Sequence, residues 1–370
     1  MKNPFKYGCV VSGDHFCLRP EAERALRRFA EAGQNVVVQG ERRMGKTSLV
    51  RRALGGMRGR KTVFVDLYYI NTQADLCRRI MEGIGRVKTD LPFLKRVMSY
   101  VPRLRPVLAI DPADGSTKIA LDARAAAEPE SLDAVMSALE KVTADGRTNV
   151  VFDEFQDIRR LADASRILAE MRGCIQLQED VPYFFLGSIR HEMWDIFNNS
   201  KSPFFKSAAA FDVGPIDAGD FSAFLVERFK KGGRRFPKEL AAKALEVACG
   251  VSGDVQEFCA ALWEVTQDGG EVTEADFRPA LEVIFTRERK GFERAVAHLT
   301  PTQAAVLRGL AERPGDRIYG AAFLNAVGLA NAGAVRKAVQ RLEANDLVYE
   351  HEGAYRFNDS FFRAWLLEAL

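Results

Sequence analysis

The chain has 370 residues, and its 53 Lys plus Arg against 50 Asp plus Glu give a net charge of +3. This near-neutral balance excludes the strong overall basicity of a dedicated nucleic-acid-binding protein. The 47% hydrophobic and 28% charged residues exclude long-range disorder and collagen-like sequence. Length alone, at roughly 150 residues a domain, predicts two or three domains.

The first half of the chain alternates strands with helices. Short apolar runs predict buried strands at residues 35–39, 62–67, 148–152 and 183–188, with helices at 20–32, 46–54, 72–84 and 131–145. Residues 88–128 interrupt this pattern, and 105–121 read as a hairpin with its turn at 111–115. The alternation predicts a doubly wound parallel α/β domain over residues 1–215, with the hairpin in an insertion.

The second half of the chain is mostly helical. Residues 217–289 have helical periodicity and predict a small helical domain over 216–295. Further helices are predicted at 300–312, 320–327 and 331–344, and residues 347–357 alternate like a hairpin. Three helices followed by a β-wing describe a winged helix-turn-helix over residues 296–370.

The cysteines and histidines give no sign of a metal site. Six Cys and four His are scattered without a Cys-x-x-Cys pair. No apolar run reaches the roughly 20 residues needed to cross a bilayer, and the N-terminus lacks the apolar core of a signal peptide. We therefore expect reduced cysteines, no membrane partner and a cytoplasmic location.

A phosphate-binding motif lies between the first predicted strand and the helix after it. Residues 40–47 read Gly-Glu-Arg-Arg-Met-Gly-Lys-Thr and match the pattern G-x-x-x-x-G-K-[ST]. The glycines let the backbone curl so that N–H groups point at phosphate oxygens, and the helix adds the positive end of its dipole. Lys46 is expected to reach the β- and γ-phosphates of ATP, and the Thr47 hydroxyl to ligate Mg²⁺. The predicted phosphate-binding residues are Gly40, Glu41, Arg42, Arg43, Met44, Gly45, Lys46, Thr47 and Ser48.

An acidic pair ends the third predicted strand. Asp153 and Glu154 follow the apolar run 149–152. The carboxyl ends of parallel strands gather ligands at one edge, so Asp153 is expected to hold Mg²⁺ through water. Glu154 is then expected to orient or deprotonate the attacking water, which makes Lys46 and Glu154 the predicted catalytic residues. A solvated strand end is the alternative for this pair.

Three further features leave more than one interpretation open. Ser188, with Arg190, follows the fourth strand and either senses the γ-phosphate or starts the next helix as its N-cap. Arg42 and Arg43 contact phosphate, a neighbouring subunit or only solvent. The turn at residues 250–256 of the helical domain either faces the nucleotide or is a capped turn between helices.

The motifs together resemble the archaeal-type P-loop ATPase family, a branch of the STAND and AAA+ NTPases related to origin-recognition ATPases. The resemblance spans nearly the whole chain. Besides the phosphate-binding motif it rests on Phe5-x-Tyr7-Gly8, Phe16-x-x-Arg19, Asp153-Glu-Phe-Gln156, Leu186-Gly-Ser188, Leu262-Trp263 and Phe361-Phe-Arg363-x-Trp365-Leu366. It implies an ATPase core, a helical lid, a C-terminal winged helix and a nucleotide-gated switch. The chain departs from the family at Asp254-Val255, where an aromatic residue followed by proline is expected.

The winged helix has two interpretations. Its third predicted helix offers Asn331, Arg336, Lys337, Gln340 and Arg341, which suit a major groove. Residues 300–370 carry eight Lys or Arg and eight Asp or Glu, so a contact with protein is favoured over DNA. Basic residues also collect after the second strand and at 228–235, as a solvated face or as a track for nucleic acid.

The sequence therefore predicts a slow regulatory or signal-transducing ATPase that binds ATP with Mg²⁺ and releases ADP. Its nucleotide state would reposition the lid and the winged helix, with a protein partner and a nucleotide-dependent homo-oligomer as expected assemblies. The alternative is a DNA-binding loader or remodeller of the origin-recognition type that uses the winged helix. A nucleotide-dependent scaffold with negligible turnover is a third hypothesis, disfavoured by the intact Asp153-Glu154 pair.

Overall fold

A computed structural model describes residues 2–87, 105–110, 117–122, 131–188, 191–313, 315, 317–351 and 353–369; for the strands 105–110 and 117–122 and for Ser188, His191 and Ala369 only the backbone is described. The chain forms two compact units. One is Leu18–Gly214, and the other joins Met1–Cys17 to Pro215–Leu370. Across the described ranges, no helix combines the length and apolar character needed to span a bilayer.

The unit Leu18–Gly214 is built on a parallel sheet. Its strands are β1 (Val36–Gly40), β2 (Lys61–Asp66), β3 (Arg105–Ile110), β4 (Thr117–Asp122), β5 (Thr148–Asp153), β6 (Tyr183–Ser188) and β7 (Ala209–Asp212). Five of these pair in the order β2-β5-β6-β1-β7, all parallel. The helices of this unit are α1 (Pro20–Glu31), α2 (Lys46–Gly55), α3 (Gln73–Gly85), α4 (Leu132–Thr143), α5 (Ala164–Ile175) and α6 (His191–Phe197).

The predicted α/β fold is confirmed, with one strand, β7, and two helices, α5 and α6, for which the pattern gave no range. β3 and β4 pair antiparallel, as predicted for the hairpin, whose turn at 111–115 lies outside the described residues. The edge strand β7 alternates half-buried and exposed residues, so it has no continuous apolar run to reveal it. The helix α5 between β5 and β6 was also not predicted.

An aromatic cluster fixes the carboxyl end of β5. The ring of Phe152 stacks on Phe185 of β6 at 6.0 Å between centroids. The ring of Phe155, just after β5, lies 4.7 Å from Phe185 and 5.6 Å from Phe204. All four rings are fully buried. Because Phe152 and Phe155 are anchored on either side, the Asp153-Glu154 pair between them is held at the sheet edge.

The second unit contains the helical domain and the winged helix. The helical domain has α7 (Ala218–Lys231), α8 (Lys238–Val247), α9 (Ser252–Val265) and α10 (Phe277–Ala297). The winged helix has α11 (Pro301–Glu312), α12 (Ala321–Ala326), α13 (Ala332–Ala344), β8 (Val348–His351), β9 (Ala354–Phe357) and α14 (Ser360–Ala369). β8 and β9 pair antiparallel and form the predicted wing.

The helical domain and the winged helix share one hydrophobic core. The ring centroids of Phe258 in α9 and Phe361 in α14 lie 6.5 Å apart. The Ser360 hydroxyl donates to the carbonyl of Ala248 at 3.2 Å. The N-terminal segment joins the same core, since the buried Phe5 ring lies 4.9 Å from Phe229. A helical lid and a winged helix with a continuous core are held together by packing as well as by the chain.

Candidate functional site

The loop between β1 and α2 has the geometry of an anion cradle. Gly45 precedes α2 with φ of 80° and Arg43 has φ of 62°, both in the left-handed region. Left-handed residues in a turn bring successive backbone N–H groups to one side, where they attract an anion. A side chain at residue 45 would strain the turn, which explains the second glycine of the motif.

The loop is tied to its own unit by a residue of the N-terminal motif. The Arg19 guanidinium donates to the carbonyl of Met44 at 3.0 Å and to that of Gly214 at 2.9 Å. Met44 itself is buried, whereas Arg42 and Arg43 are exposed. The buried residues hold the loop in place, and the two exposed arginines lie where a ligand or a partner could reach them.

Lys46 lies over the loop that precedes it. Its ammonium donates to the carbonyls of Gly40 and Glu41, both at 2.8 Å. The residue is only 7% exposed, although lysine is rarely buried without partners. These contacts hold the ammonium above the loop between β1 and α2, within reach of an anion bound to the backbone N–H groups of that loop.

The motif meets the acidic pair through a direct hydrogen bond. The Thr47 hydroxyl donates to Oδ2 of Asp153 at 2.8 Å, and Ser48 beside it is buried. The pKa of Asp153 is raised to about 6, above all by burial; the hydrogen bond from Thr47 opposes this shift, and the charges of Glu154 and Asp66 contribute to it. The hydrogen bond between Thr47 and Asp153 joins the segment after β1 to the end of β5, and β6 lies between these two strands in the sheet.

Asp66 is a site residue that the sequence analysis missed. It pairs in register with Asp153 at the end of β2, and its carboxylate accepts a hydrogen bond from the N–H of Tyr68 at 2.9 Å. The sequence does indicate this residue, because the apolar run Val63-Phe-Val65 of the second predicted strand is followed by an acid, Asp66, just as the run 149–152 is followed by Asp153. Two neighbouring acidic strand ends create the negative potential that a cation would offset.

Glu154 lies in a strained turn. Its φ of 52° is left-handed, which is uncommon for a residue with a side chain. A short 3-10 helix, Phe155–Arg160, follows at once, and the N–H of Asp157 donates to the Glu154 carbonyl at 3.0 Å. Gln156 donates from its side-chain amide to the Glu154 carboxylate at 2.5 Å. The turn therefore directs Glu154 away from the strand while a neighbour holds its carboxylate.

The remaining predicted residues fall at several places. The backbone of Ser188 pairs with Gly40, so β6 ends beside the phosphate-binding loop. Arg190 lies outside the described residues. In the helical domain, α9 begins at Ser252, and Asp254 and Val255 are both buried in its first turn. Burial at this turn favours a packed turn between helices over a contact with nucleotide, but the predicted cap is missing, because the N-cap residue Val251 makes no side-chain capping bond.

The basic clusters are largely ion-paired. Arg78 of α3 lies 2.9 Å from Asp75 and 3.3 Å from Glu82. In the helical domain, Arg234 pairs with Asp268 at 2.8 Å. The basic residues at 88–103 lie outside the described residues. Pairing with acids neutralises these positive charges locally, which favours a solvated surface over a track for nucleic acid.

The exposed face of α13 is basic. Arg336, Lys337, Gln340 and Arg341 are all exposed, and Glu343 at the end of the helix is half-buried. Lys337 and Arg341 line an open groove against the start of α11, together with Thr300 and Gln303. Three of the eight Lys and Arg of residues 300–370 thus lie together on one exposed helix face, although the total charge of these residues is neutral.

Comparison with known proteins adds to this geometry. A family model described as "Probable winged helix domain" matches residues 290–368. A Walker-type ATPase of Pyrococcus abyssi is similar over 96% of this chain and 97% of its own, with 20% identity and a TM-score of 0.66. The predicted resemblance is confirmed as a shared fold.

A second solved structure is similar in fold over the whole chain. The ORC1 protein of Aeropyrum pernix, solved in complex with DNA, is similar over all of this chain and 98% of its own, with 15% identity and a TM-score of 0.52. No curated protein matches the sequence. The chain therefore shares the fold of these two proteins, a P-loop α/β core followed by a helical domain and a C-terminal winged helix, as the sequence predicted.

Proposed function

We propose that the chain is an ATPase that binds ATP with Mg²⁺ at residues 40–48 and hydrolyses it with Glu154. The observation that carries the proposal is the hydrogen bond of 2.8 Å between Thr47 and Asp153. It joins the phosphate-binding loop to the acidic pair at one edge of the sheet, where parallel α/β folds bind their ligands. Lys46 lies over the same loop.

The residues present fit a magnesium ion. The Thr47 hydroxyl and the Asp153 carboxylate supply hard oxygen ligands, and Mg²⁺ usually takes one or two of these together with substrate phosphates and water. Asp153 is 8% exposed, so its negative charge is poorly solvated and a cation would offset that cost. Among the described residues, no three His, Cys, Asp or Glu form a metal site of their own. This agrees with a cation that is held largely by phosphates.

The reaction follows from these positions. Mg²⁺, when bound, supplies charge neutralisation at the β- and γ-phosphate oxygens. Lys46 would turn from its two carbonyl partners to the same oxygens, while the N–H groups of the loop hold the phosphate chain. Glu154 would take a proton from water as the water oxygen attacks the γ-phosphorus, and the bond to the β-γ bridging oxygen breaks to leave ADP and phosphate. Ser188 and Arg190 remain proposed contacts of the γ-phosphate.

A regulatory role is the finer part of the proposal. We propose a lid of residues 216–295 and a winged helix of 296–370; of the core predicted over residues 1–215, Met1–Cys17 belong instead to the unit that contains the lid. The shared hydrophobic core supports a lid and a winged helix that respond to nucleotide as one body. A protein partner and a nucleotide-dependent homo-oligomer belong to this proposal.

DNA binding is the second candidate function. The basic exposed face of α13 favours it, because a neutral module can bind DNA only if its positive charge is concentrated on one surface. The similarity to a protein solved in complex with DNA supports the same candidate. ATP would then control the grip of the winged helix on DNA. Docking of a protein on this face is the competing outcome.

Replacing Lys46 tests the ATP site. Lys46→Ala should lower ATP affinity by about 100-fold or more, because it removes charge-assisted hydrogen bonds to the phosphates. The exposed Lys141 of α4 gives the matched control, and Lys141→Ala should bind as the wild type does. Fluorescent ATP titration measures both, with thermal unfolding to check the fold. Undiminished binding by folded Lys46→Ala would refute the assignment of the loop.

A further inference from the structure

The side chain of Gln156 is held in one orientation by its neighbour. Its Nε2 lies 2.5 Å from Oε2 of Glu154. An ionised carboxylate can only accept hydrogen bonds, so the amide nitrogen must face Glu154 and the amide oxygen must point the other way. The orientation of this amide therefore follows from the charge of the residue that it contacts.

The other end of the amide is buried and unpaired. Oε1 of Gln156 is shielded from solvent and has no hydrogen-bond partner among the described residues. A buried carbonyl oxygen without a donor is costly, and native structures rarely retain one without a function or a ligand.

The fold leaves space for the amide at the edge of β6. A Cβ at Gly187 would lie 2.5 Å from Oε1 of Gln156 and 2.6 Å from the sulfur of Met193. Both distances are shorter than real Cβ contacts, so glycine is required here for Gln156 to hold its position. Gly187 lies one residue before Ser188, whose backbone pairs with Gly40. The amide oxygen is therefore directed at the strand that ends beside the phosphate-binding loop.

We propose that Gln156 positions both the carboxylate of Glu154 and the attacking water, an inference that rests on the ATPase function proposed above. The amide N–H holds the carboxylate, and the amide oxygen accepts one hydrogen of the water. Glu154 receives the other hydrogen as a proton when the water oxygen bonds to the γ-phosphorus and ADP leaves with the electron pair of the broken P–O bond. An amide suits this position because it donates and accepts at once.

Gln156→Met tests the proposal, since methionine has a similar length and no strong hydrogen-bonding group. At saturating Mg-ATP, turnover should fall about tenfold or more. The KM and the dissociation constant for ATP should stay within about twofold, because Gln156 does not hold the phosphates. The exposed Gln176 gives the matched control, and Gln176→Met should be unchanged. Gln156→Glu is the second variant: it keeps the shape but cannot donate to Glu154, so turnover should fall as well.

A double-mutant cycle separates positioning from structure. In a Glu154→Gln background, Gln156→Met should cause no further loss of turnover, because the two residues act through one step. A binding measurement supplies a readout that does not depend on turnover. ADP with Mg²⁺ and aluminium fluoride imitates the transferring phosphoryl group, so the wild type should retain this complex. Gln156→Met should bind ADP normally but lose the fluoride-dependent retention.

The outcomes distinguish this inference from the proposed function. Wild-type turnover in both Gln156 variants would overturn it, and so would a loss that multiplies with that of Glu154→Gln. A matching loss of ATP affinity in Gln156→Met would show that the residue is structural and would also overturn it. Each of these results leaves the proposed function standing if Lys46→Ala still lowers ATP affinity by about 100-fold or more. Undiminished ATP binding by Lys46→Ala would instead refute the function itself.

Discussion

Replacing Asp153 by asparagine should change how the stability of the nucleotide-free chain depends on pH. Burial, above all, raises the pKa of Asp153 from 3.8 to about 6. Between these pH values the folded chain binds more protons at this group than the unfolded chain. The free energy of unfolding therefore falls as the pH rises through this window, and the loss is complete above the folded pKa. Asparagine has no such proton and should remove the effect.

The magnitude follows from the two pKa values and one hydrogen bond. The difference between 3.8 and about 6 corresponds to about 3 kcal/mol at neutral pH, and Asp153 is too buried for solvent to screen much of it. Asparagine keeps an acceptor for the Thr47 hydroxyl. It loses the bond of 3.2 Å from the Glu154 N–H, worth about 1 kcal/mol. Relative to wild type, the variant should be about equal in stability at pH 4.5 and about 2 kcal/mol more stable at pH 8.

Urea unfolding in EDTA without nucleotide measures this difference. Trp194 is the one tryptophan of Leu18–Gly214, so Trp263→Phe and Trp365→Phe leave it as the reporter of the unit that contains Asp153. The exposed Asp180 provides the control, and Asp180→Asn should show no such pH dependence. A stability difference between Asp153→Asn and wild type that is constant from pH 4.5 to pH 8 would refute the reasoning.

The remaining predictions concern hydrolysis and the winged helix. Glu154→Gln should retain ATP binding and lower turnover by about two orders of magnitude, whereas Glu140→Gln at an exposed position should keep both ATP binding and turnover. Collapse of ATP affinity in Glu154→Gln would make Glu154 structural. Reversing Arg336, Lys337 and Arg341 to Glu should lower the log–log salt slope of DNA binding by up to about 2.7, at about 0.9 for each phosphate contact. Gel shifts across a salt series would measure this slope, and unchanged DNA binding with an altered ATPase rate or oligomer size would favour protein docking. The matched control reverses three exposed arginines of the same domain, Arg308, Arg313 and Arg317.

The sequence predicted the parts of the site that depend on local patterns. The loop at 40–47 is recognisable because two glycines, a lysine and a threonine must occur at fixed spacing to surround phosphate. The third helix of the winged helix was predicted at 331–344, and α13 is Ala332–Ala344 with Asn331 as its N-cap. In both cases a few neighbouring residues contain the information.

Features that depend on distant residues could not be predicted in this way. The role of Gln156 depends on the space left by Gly187, which is distant in sequence and adjacent only in the fold. The acidic end of β2 becomes part of the site only because β2 pairs with β5. The common core of the lid and the winged helix likewise needs contacts such as Phe258 with Phe361, which no local periodicity specifies.

Release of phosphate from Mg-ATP by the wild-type chain tests the central claim most directly. The folded chain should release several phosphates per molecule, and both EDTA and Lys46→Ala should abolish this release, because the reaction needs the metal ligands and the cradle together. Lys141→Ala should release phosphate at the wild-type rate. Two results would contradict the account. One is phosphate release that persists in folded Lys46→Ala, and the other is wild-type release that does not exceed the release by Lys46→Ala.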